Sequence, residues 1–225
     1  MNEFLAGVAR AALETFSPPE PVLEIGSYQP EGQQEIANLR PLLAGKKYTG
    51  VDMRPGPGVD SVENVEKLER PDASVGTVLA LSVFEHVERF WLGFSEIERV
   101  LRPDGLLVVS CPFYFHIHHH PSDYWRFTPE ALESLLRGYA HGIVGWHGPK
   151  NRPLNVWAVA AKSDHPAFSA SQRAAFHERI GRYAKQPLGL MRRLRYGLGR
   201  VIAGPRLFGP VWDAERFDTR PLKTA

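Results

Sequence analysis

Cysteine is almost absent: Cys111 stands alone in 225 residues. No internal disulfide can form, and no thiolate zinc cluster can be built from this chain alone. Nothing in its cysteine usage points to secretion. No run of about 18 apolar residues occurs, so no transmembrane helix is expected. The opening MNEFLAGVARAALETF has neither a basic leading segment nor a long apolar stretch, so it does not read as a signal peptide. A cytoplasmic protein is the expectation. Acidic residues are missing throughout Gln186 to Trp212. Residues 163–225 hold 12 Lys+Arg and 5 Asp+Glu, a balance of +7, which leaves 15 and 20, a balance of −5, for residues 1–162. That split reads as an acidic globular body, 1–162, followed by a basic extension, 163–225, suited to an anionic partner. The 43% hydrophobic and 23% charged fractions are ordinary for a globular protein and exclude a disordered chain, a collagen-like chain and a simple coiled coil.

Apolar residues recur at helical spacing over 2–16, and Ser17-Pro18-Pro19 ends that helix. Pro21 to Ile25 reads as a buried strand running into Gly26. A helix is expected over 31–43, a second strand over Lys47 to Val51, and a third over Val75 to Leu81. Residues 89–101 are amphipathic. Pro103-Asp104-Gly105 reads as a turn before the strand Leu106 to Val109. Thr128-Pro129-Glu130 opens another helix with a cap, a proline at the first position and an acid in the first turn. His141 to His147 and Asn155 to Ala161 read as strands joined by a proline-bearing loop. Strands alternating with helices imply a doubly wound α/β sheet, seven-stranded and mostly parallel, with an antiparallel last strand and a helical C-terminal extension.

In such a sheet ligands bind at the carboxyl ends of the strands. The first such loop, Glu24-Ile25-Gly26-Ser27-Tyr28-Gln29-Pro30-Glu31-Gly32, lacks the G-x-G-x-x-G of dinucleotide-binding loops. Glu24 would repel a pyrophosphate and welcome a cation. A nicotinamide dehydrogenase is therefore disfavoured. Neither a phosphate-cradling Walker loop nor a G-x-S-x-G nucleophile elbow occurs. Asp52, 26 residues after Gly26, ends the second strand, where an acid can accept both hydroxyls of an unphosphorylated ribose.

Taken together, VLEIGSYQPEG, YTGVDMRPGPGVD, LALSVFEHV and RVLRPDGLLVVSCPF resemble the successive motifs of class I S-adenosylmethionine-dependent methyltransferases, and among them the broad type 11 group. The resemblance runs from about residue 20 to residue 162. It implies S-adenosylmethionine as cofactor and a set of residue roles. Glu24 would face the amino group of the methionine moiety, Gly26 with Ser27 would pass under the cofactor, and Asp52 would hold the ribose. Met53 would pack on the adenine, Asn64 would accept its amine, and Val65 would offer a backbone N–H. Leu81 and Ser82 would line the transfer cleft. Two positions depart from the family pattern: bulky Tyr28 stands in the usual glycine-rich loop, and Gly76 replaces an acid.

The segment from Phe113 to Thr128 holds four histidines and six aromatics in sixteen residues. It resembles a family subset with a His followed by P-x-D-Y-[WY]-R-[FY]-T, whose members act among sugar and glycan enzymes. Methyl transfer to a hydroxyl needs a nucleophile placed in line and relieved of its proton. His118 is the first candidate base and His86 the second, with Asp123 to orient a histidine. His116, Tyr124, Trp125 and Arg126 are candidates to contact the acceptor, Arg126 either by holding an anionic group or by pairing with Asp123. Glu85-His86 resembles a pair that binds a divalent metal in some quinone-pathway relatives, but the motif occurs widely without one, so no metal is expected. Ser110-Cys111-Pro112-Phe113 is similar to an amine-holding motif of nucleic-acid methyltransferases, in the wrong place, and no nucleic-acid partner is expected.

The expected activity is O-methylation of a small or lipid-linked hydroxyl acceptor such as a sugar or glycan intermediate. The alternatives are a phenol or quinone-precursor acceptor, and a degenerate non-catalytic cofactor-binding module. In the extension, Phe176, Ile180 and Tyr183 share one helical face. Leu188, Met191, Leu194, Leu198, Val201 and Ile202 share another, among Arg192, Arg193, Arg195 and Arg200. That second stripe can lie on an anionic membrane, pack on the body, or bring two copies together through 186–212.

Overall fold

The computed structural model describes residues 1–118, 121–184, 190–203 and 216–222. Helix α1 (Glu3–Phe16) begins where the Asn2 side chain accepts from the Leu5 amide at 3.0 Å, and stops at Ser17, whose φ of 45° is left-handed. Strands β1 (Val22–Ile25), β2 (Tyr48–Asp52), β3 (Ser61–Val62), β4 (Val75–Leu81) and β5 (Leu101–Pro112) run parallel to one another. Strands β6 (His141–His147) and β7 (Asn155–Ala161) form an antiparallel hairpin, with β7 antiparallel to β5. An eighth strand, β8 (Phe217–Pro221), pairs antiparallel with the outer side of β6, giving the order β3-β2-β1-β4-β5-β7-β6-β8. The topology reverses between β1 and β4, and the crevice at such a reversal is where this class of sheet takes its ligands.

Period-two alternation divides the core into two layers. Val78 and Ala80 of β4, with Leu107 and Val109 of β5, face α3 (Phe90–Val100) and α4 (Pro129–Leu135) through Phe94, Ile97 and Leu132. Leu79 and Leu81, with Leu106, Val108 and Trp157, face α1 and α5 (Ala170–Tyr183). Phe16 packs edge-on to Phe176 with ring centroids 5.2 Å apart, and Ile180 is fully buried beside them. The Tyr183 hydroxyl donates to Glu14 at 2.7 Å. Through α5 and β8 the segment after residue 162 shares the core and the sheet of the body.

Several sequence expectations are corrected. The helix expected over 31–43 is a four-residue helix, α2 (Gln34–Ala37), and a separate 3-10 turn, Arg40–Leu43. Asn38 captures the Arg40 amide at 3.2 Å, and Pro41 cannot continue a helical ladder. The turn read at 103–105 lies inside β5, whose register against β4 jumps between the Leu101 and Leu106 pairings, so residues 102–105 bulge without ending the strand. Strands β3 and β8 were not expected. Gly76, standing where the family shows an acid, is explained by packing: a Cβ there would lie 2.5 Å from the Pro19 carbonyl oxygen, and the Gly76 amide donates to Pro21 O at 2.9 Å.

Helix α6 (Leu190–Ala203) carries the second apolar stripe, and among the described residues the stripe is exposed. Leu190, Met191, Leu194, Leu198, Val201 and Ile202 are 60–85% exposed. Arg195 is exposed as well. Leu188, residues 204–215 and the side chains of Arg192, Arg193 and Arg200 lie outside the described residues.

Candidate active site

The carboxyl edge collects most of the residues singled out in the sequence. After β1 the chain turns at Gly26, with a left-handed φ of 79°. A Cβ there would stand 2.5 Å from Val83 Cγ2, so only glycine allows both the turn and the close approach of the loop after β4. The Gly26 and Ser27 amides both donate to Val51 O, at 2.8 and 3.1 Å. Ser27 Oγ is buried and has no hydrogen-bond partner, which leaves its capacity for a ligand. Tyr28 does not fill this turn. Its ring lies over Gly56 and under the Arg54 guanidinium, 4.7 Å from the ring centroid, so the bulky residue folds onto the loop after β2.

Asp52, closing β2, accepts from the Arg54 amide through Oδ1 at 3.0 Å, with Arg54 Nε 3.8 Å away. Met53 beside it is exposed. Asn64 closes a tight turn, its Oδ1 accepting from the Glu66 amide at 2.9 Å, and Val65 is buried in the core. Leu81 ends β4. Ser82 follows with a φ of 56°, its amide donating to Ser110 O at 2.9 Å. A non-glycine residue held in the left-handed region stores strain, and such strain concentrates at ligand sites. Glu24 sits deeper, 6% exposed, and accepts a short hydrogen bond from the Tyr48 hydroxyl. Arg40 lies 4.5 Å above the Tyr48 ring centroid and bonds Asp60 at 2.7 Å. Burial pushes the Glu24 carboxyl up to about 7, against the pull of Tyr48 and Arg40. Sequence reasoning missed Tyr48 and Arg40. The register Glu24↔Gly50 places Tyr48 two residues along on the same face, but that register is a tertiary fact.

On the acceptor side the structure brings His86, His118, Asp123 and Arg126 together. His118 Nδ1 lies 3.0 Å from Asp123 Oδ2, and the His118 amide donates to the same oxygen at 2.9 Å. Arg126 donates to both Asp123 oxygens and to the carbonyls of Trp125 and His116 at 2.8 and 3.3 Å. It holds the Asp123 carboxyl well below the usual carboxylate range. Of the two roles read for Arg126, the pairing with Asp123 is the one the geometry displays. His86 stands in a 3-10 turn, Phe84–His86, with Nδ1 2.5 Å from Ser122 O and its ring edge-on to His118 at 4.9 Å between centroids. The loop is anchored to that turn: the Tyr124 and Trp125 amides donate to Glu85 O at 2.7 and 3.3 Å, and the Trp125 indole donates to Val87 O at 3.0 Å. Tyr124, Trp125, Phe115 and His116 are exposed at its rim. Glu85 is fully buried, and burial pushes its carboxyl up to about 8. Cys111, as expected, is buried, and burial raises its thiol. His119 and His120 lie outside the described residues.

Residues 36–109 match a family described as a methyltransferase domain. A protein of Mycolicibacterium smegmatis, described as a probable S-adenosylmethionine-dependent methyltransferase, is 34% identical over 103 residues. The match covers 40% of this chain and spans only 37% of that relative's length. Among solved structures, 1,6-didemethyltoxoflavin-N1-methyltransferase of Burkholderia thailandensis, with bound S-adenosylhomocysteine, aligns with a TM-score of 0.53 and 21% identity over 71% of this chain and 79% of that one. A possible histamine N-methyltransferase of Thermotoga maritima aligns at 0.51 and 18%, over 71% and 89%. At these identities the two structures speak for the fold alone. The sheet order, with its reversal at β1/β4 and its antiparallel terminal hairpin, gives this chain a doubly wound fold similar to those two structures, and within it residues 36–109 are similar to a methyltransferase domain.

Proposed function

We propose that this protein transfers the methyl group of S-adenosylmethionine to a hydroxyl of a small or lipid-linked acceptor, a sugar or glycan intermediate. The observation that carries the reading is the contact of His118 Nδ1 with Asp123 Oδ2 at 3.0 Å, with Asp123 itself clamped by Arg126. A carboxylate this close to the ring stabilises the imidazolium that forms when a hydroxyl proton is taken.

The carboxyl-edge residues fit the cofactor. Ser27 Oγ is an orphaned polar atom beside the Gly26 turn, Ser82 holds a strained turn after β4, and Asp52 ends β2. Gly26 and Ser27 would hold the methionine end, Asp52 the ribose, and Met53 with Asn64 and Val65 the adenine. Glu24, tied to Tyr48, would act on the amino group from below the turn. When bound, S-adenosylmethionine supplies a sulfonium methyl group: the acceptor oxygen bonds to the methyl carbon as the carbon–sulfur bond breaks, and S-adenosylhomocysteine remains. His118 takes the hydroxyl proton and later releases it to solvent. Asp123 keeps the imidazole in place, and His86, fixed through Nδ1 to Ser122 O, is the second base. Tyr124, Trp125 and His116 offer ring faces at the rim for stacking on the acceptor.

Helix α6 supports the lipid-linked form of this reading. It exposes a continuous apolar stripe within a stretch that has arginines and no acidic residue, which suits the surface of an anionic membrane. A phenol or quinone precursor uses the same chemistry and is the nearest competitor.

A labelled-methyl transfer screen over glycan, phenol, amine and RNA acceptors tests the proposal, with His118→Ala beside wild type. Transfer to a sugar hydroxyl that falls about 10²–10⁴-fold in the variant is the expected result. Transfer to amine or RNA alone would overturn O-methylation. Undiminished hydroxyl transfer by the variant would remove His118 as the base. Tight cofactor binding with no transfer would favour a non-catalytic module.

A further inference from the structure

We infer that Glu85, His86 and His118 form a binding site for a divalent transition-metal ion beside the acceptor cleft. Each offers one ligand atom, and the three atoms lie within 4.8 Å of one another. Glu85 and His86 come from the turn after β4. His118 comes from the loop after β5, thirty-two residues further along.

Orientation is the first argument. His86 Nδ1 is 2.5 Å from the Ser122 carbonyl oxygen, and His118 Nδ1 is 3.0 Å from Asp123 Oδ2. Metal-bound histidines commonly have one ring nitrogen held by an outer carbonyl or carboxylate, which sets the tautomer and turns the other nitrogen to the ion; His86 has this arrangement through Ser122 O, and the Asp123 carboxylate lies beside the His118 ring. His86 Nε2 is already directed at the third group, 3.8 Å from Glu85 Oε1. The second argument is Glu85 itself. Its side chain is 1% exposed, and its Oε2 is buried with no hydrogen-bond partner. A buried carboxyl oxygen without a hydrogen bond is unfavourable, and a cation between this carboxyl and two imidazoles would give Oε2 the partner it lacks. Thirdly, the loop cannot drift away, because the Glu85 carbonyl holds the Tyr124 and Trp125 amides.

One carboxylate and two imidazoles suit Zn²⁺, Mn²⁺, Fe²⁺ or Co²⁺ rather than Mg²⁺ or Ca²⁺, which take oxygen ligands. Bonds of about 2.0–2.1 Å place ligand atoms roughly 3 Å apart, so the three side chains must close by about 1–2 Å, within reach of small χ rotations. Three protein ligands leave open positions for an acceptor bearing two neighbouring oxygens, whose hydroxyl an ion would acidify. With the ion in place His118 serves as a ligand and the hydroxyl proton passes to solvent. The ion site goes beyond the O-methylation reading and stands or falls separately from it, since binding is read without any methyl transfer.

The test is titration of the chelator-treated full-length protein with Co²⁺ and Zn²⁺ alone, followed by visible absorption and calorimetry. Expected are one equivalent bound, d–d bands from ordered Co²⁺, and at least a 10-fold loss of affinity in His118→Ala and in Glu85→Gln. Asp123→Asn, acting only through His118, should weaken binding by about 10–100-fold. S-adenosylhomocysteine binding, measured on each variant, shows that the fold is intact. Because Glu85 is buried, His118→Ala carries the test if Glu85→Gln does not fold. Absence of binding by wild type, or equal binding by wild type and folded His118→Ala, would overturn the site.

Discussion

Glu24→Gln isolates the energetics of one buried carboxyl. Glu24 is packed in β1 with Tyr48 as its hydrogen-bond donor, and its carboxyl rises from an ordinary 4.5 to about 7. The folded state therefore holds a proton that the unfolded chain has released between those values. Stability is fully present below about pH 4.5, falls as pH rises through 7, and levels off above it. One pH unit of that interval corresponds to about 1.4 kcal/mol, so ionising the group in the folded protein at pH 8 costs roughly 3 kcal/mol more than in the unfolded chain. The amide of glutamine still accepts from Tyr48 and does not ionise. Urea unfolding at pH 5, 6, 7 and 8 measures the effect. Other groups titrate as well, so the quantity of interest is the difference between the two proteins. The difference should move in favour of the variant by about 1.4 kcal/mol per pH unit from 5 to 7 and then flatten. Parallel curves for the two proteins would refute the reasoning, and so would a difference that grows in the opposite direction. The same variant should bind S-adenosylhomocysteine more weakly if the Glu24 charge faces the amino group.

Gly26→Ala should destabilise the protein by about 1–3 kcal/mol, since it adds a left-handed strain and a contact of 2.5 Å with Val83 Cγ2; adding Val83→Ala should recover the contact portion only, and a neutral single variant in thermal melts would contradict the turn geometry. Asp52→Ala should weaken S-adenosylhomocysteine binding by about 30–100-fold, the loss of hydrogen bonds from a charged acceptor, and equal affinity by calorimetry would remove Asp52 from the site. Leu194→Glu with Leu198→Glu on α6 should abolish sedimentation with anionic vesicles while leaving the melting temperature within a few degrees, because both side chains are at least 60% exposed; vesicle binding unchanged by the pair would exclude this stripe as the contact.

Most strands were legible from the chain because each is a short apolar run bounded by Gly, Pro or a polar pair. Val75–Leu81, His141–His147 and Asn155–Ala161 begin and end where composition places them. The gathering of the proposed cofactor residues at one edge was legible for the same reason: successive motifs end successive strands, and parallel strands bring their carboxyl ends together. What escaped the sequence depends on which elements meet. Phe217–Pro221 has no apolar run of its own and is a strand because β6 offers an unpaired edge. The helix expected over 31–43 yields to Asn38 and Pro41, local signals that outweigh its spacing. Gly76 is demanded by the backbone of Pro19 and Glu20, fifty-seven and fifty-six residues earlier. The assignment of Arg126 to Asp123 and the exposure of the α6 stripe were choices between readings that residue patterns leave equal. The meeting of His118 with His86 and Glu85 is set by two backbone hydrogen bonds to Glu85 O. Residue types and their order determine which strands and loops can exist; long-range contacts, whose energies no local pattern contains, decide which side chains finally share a site.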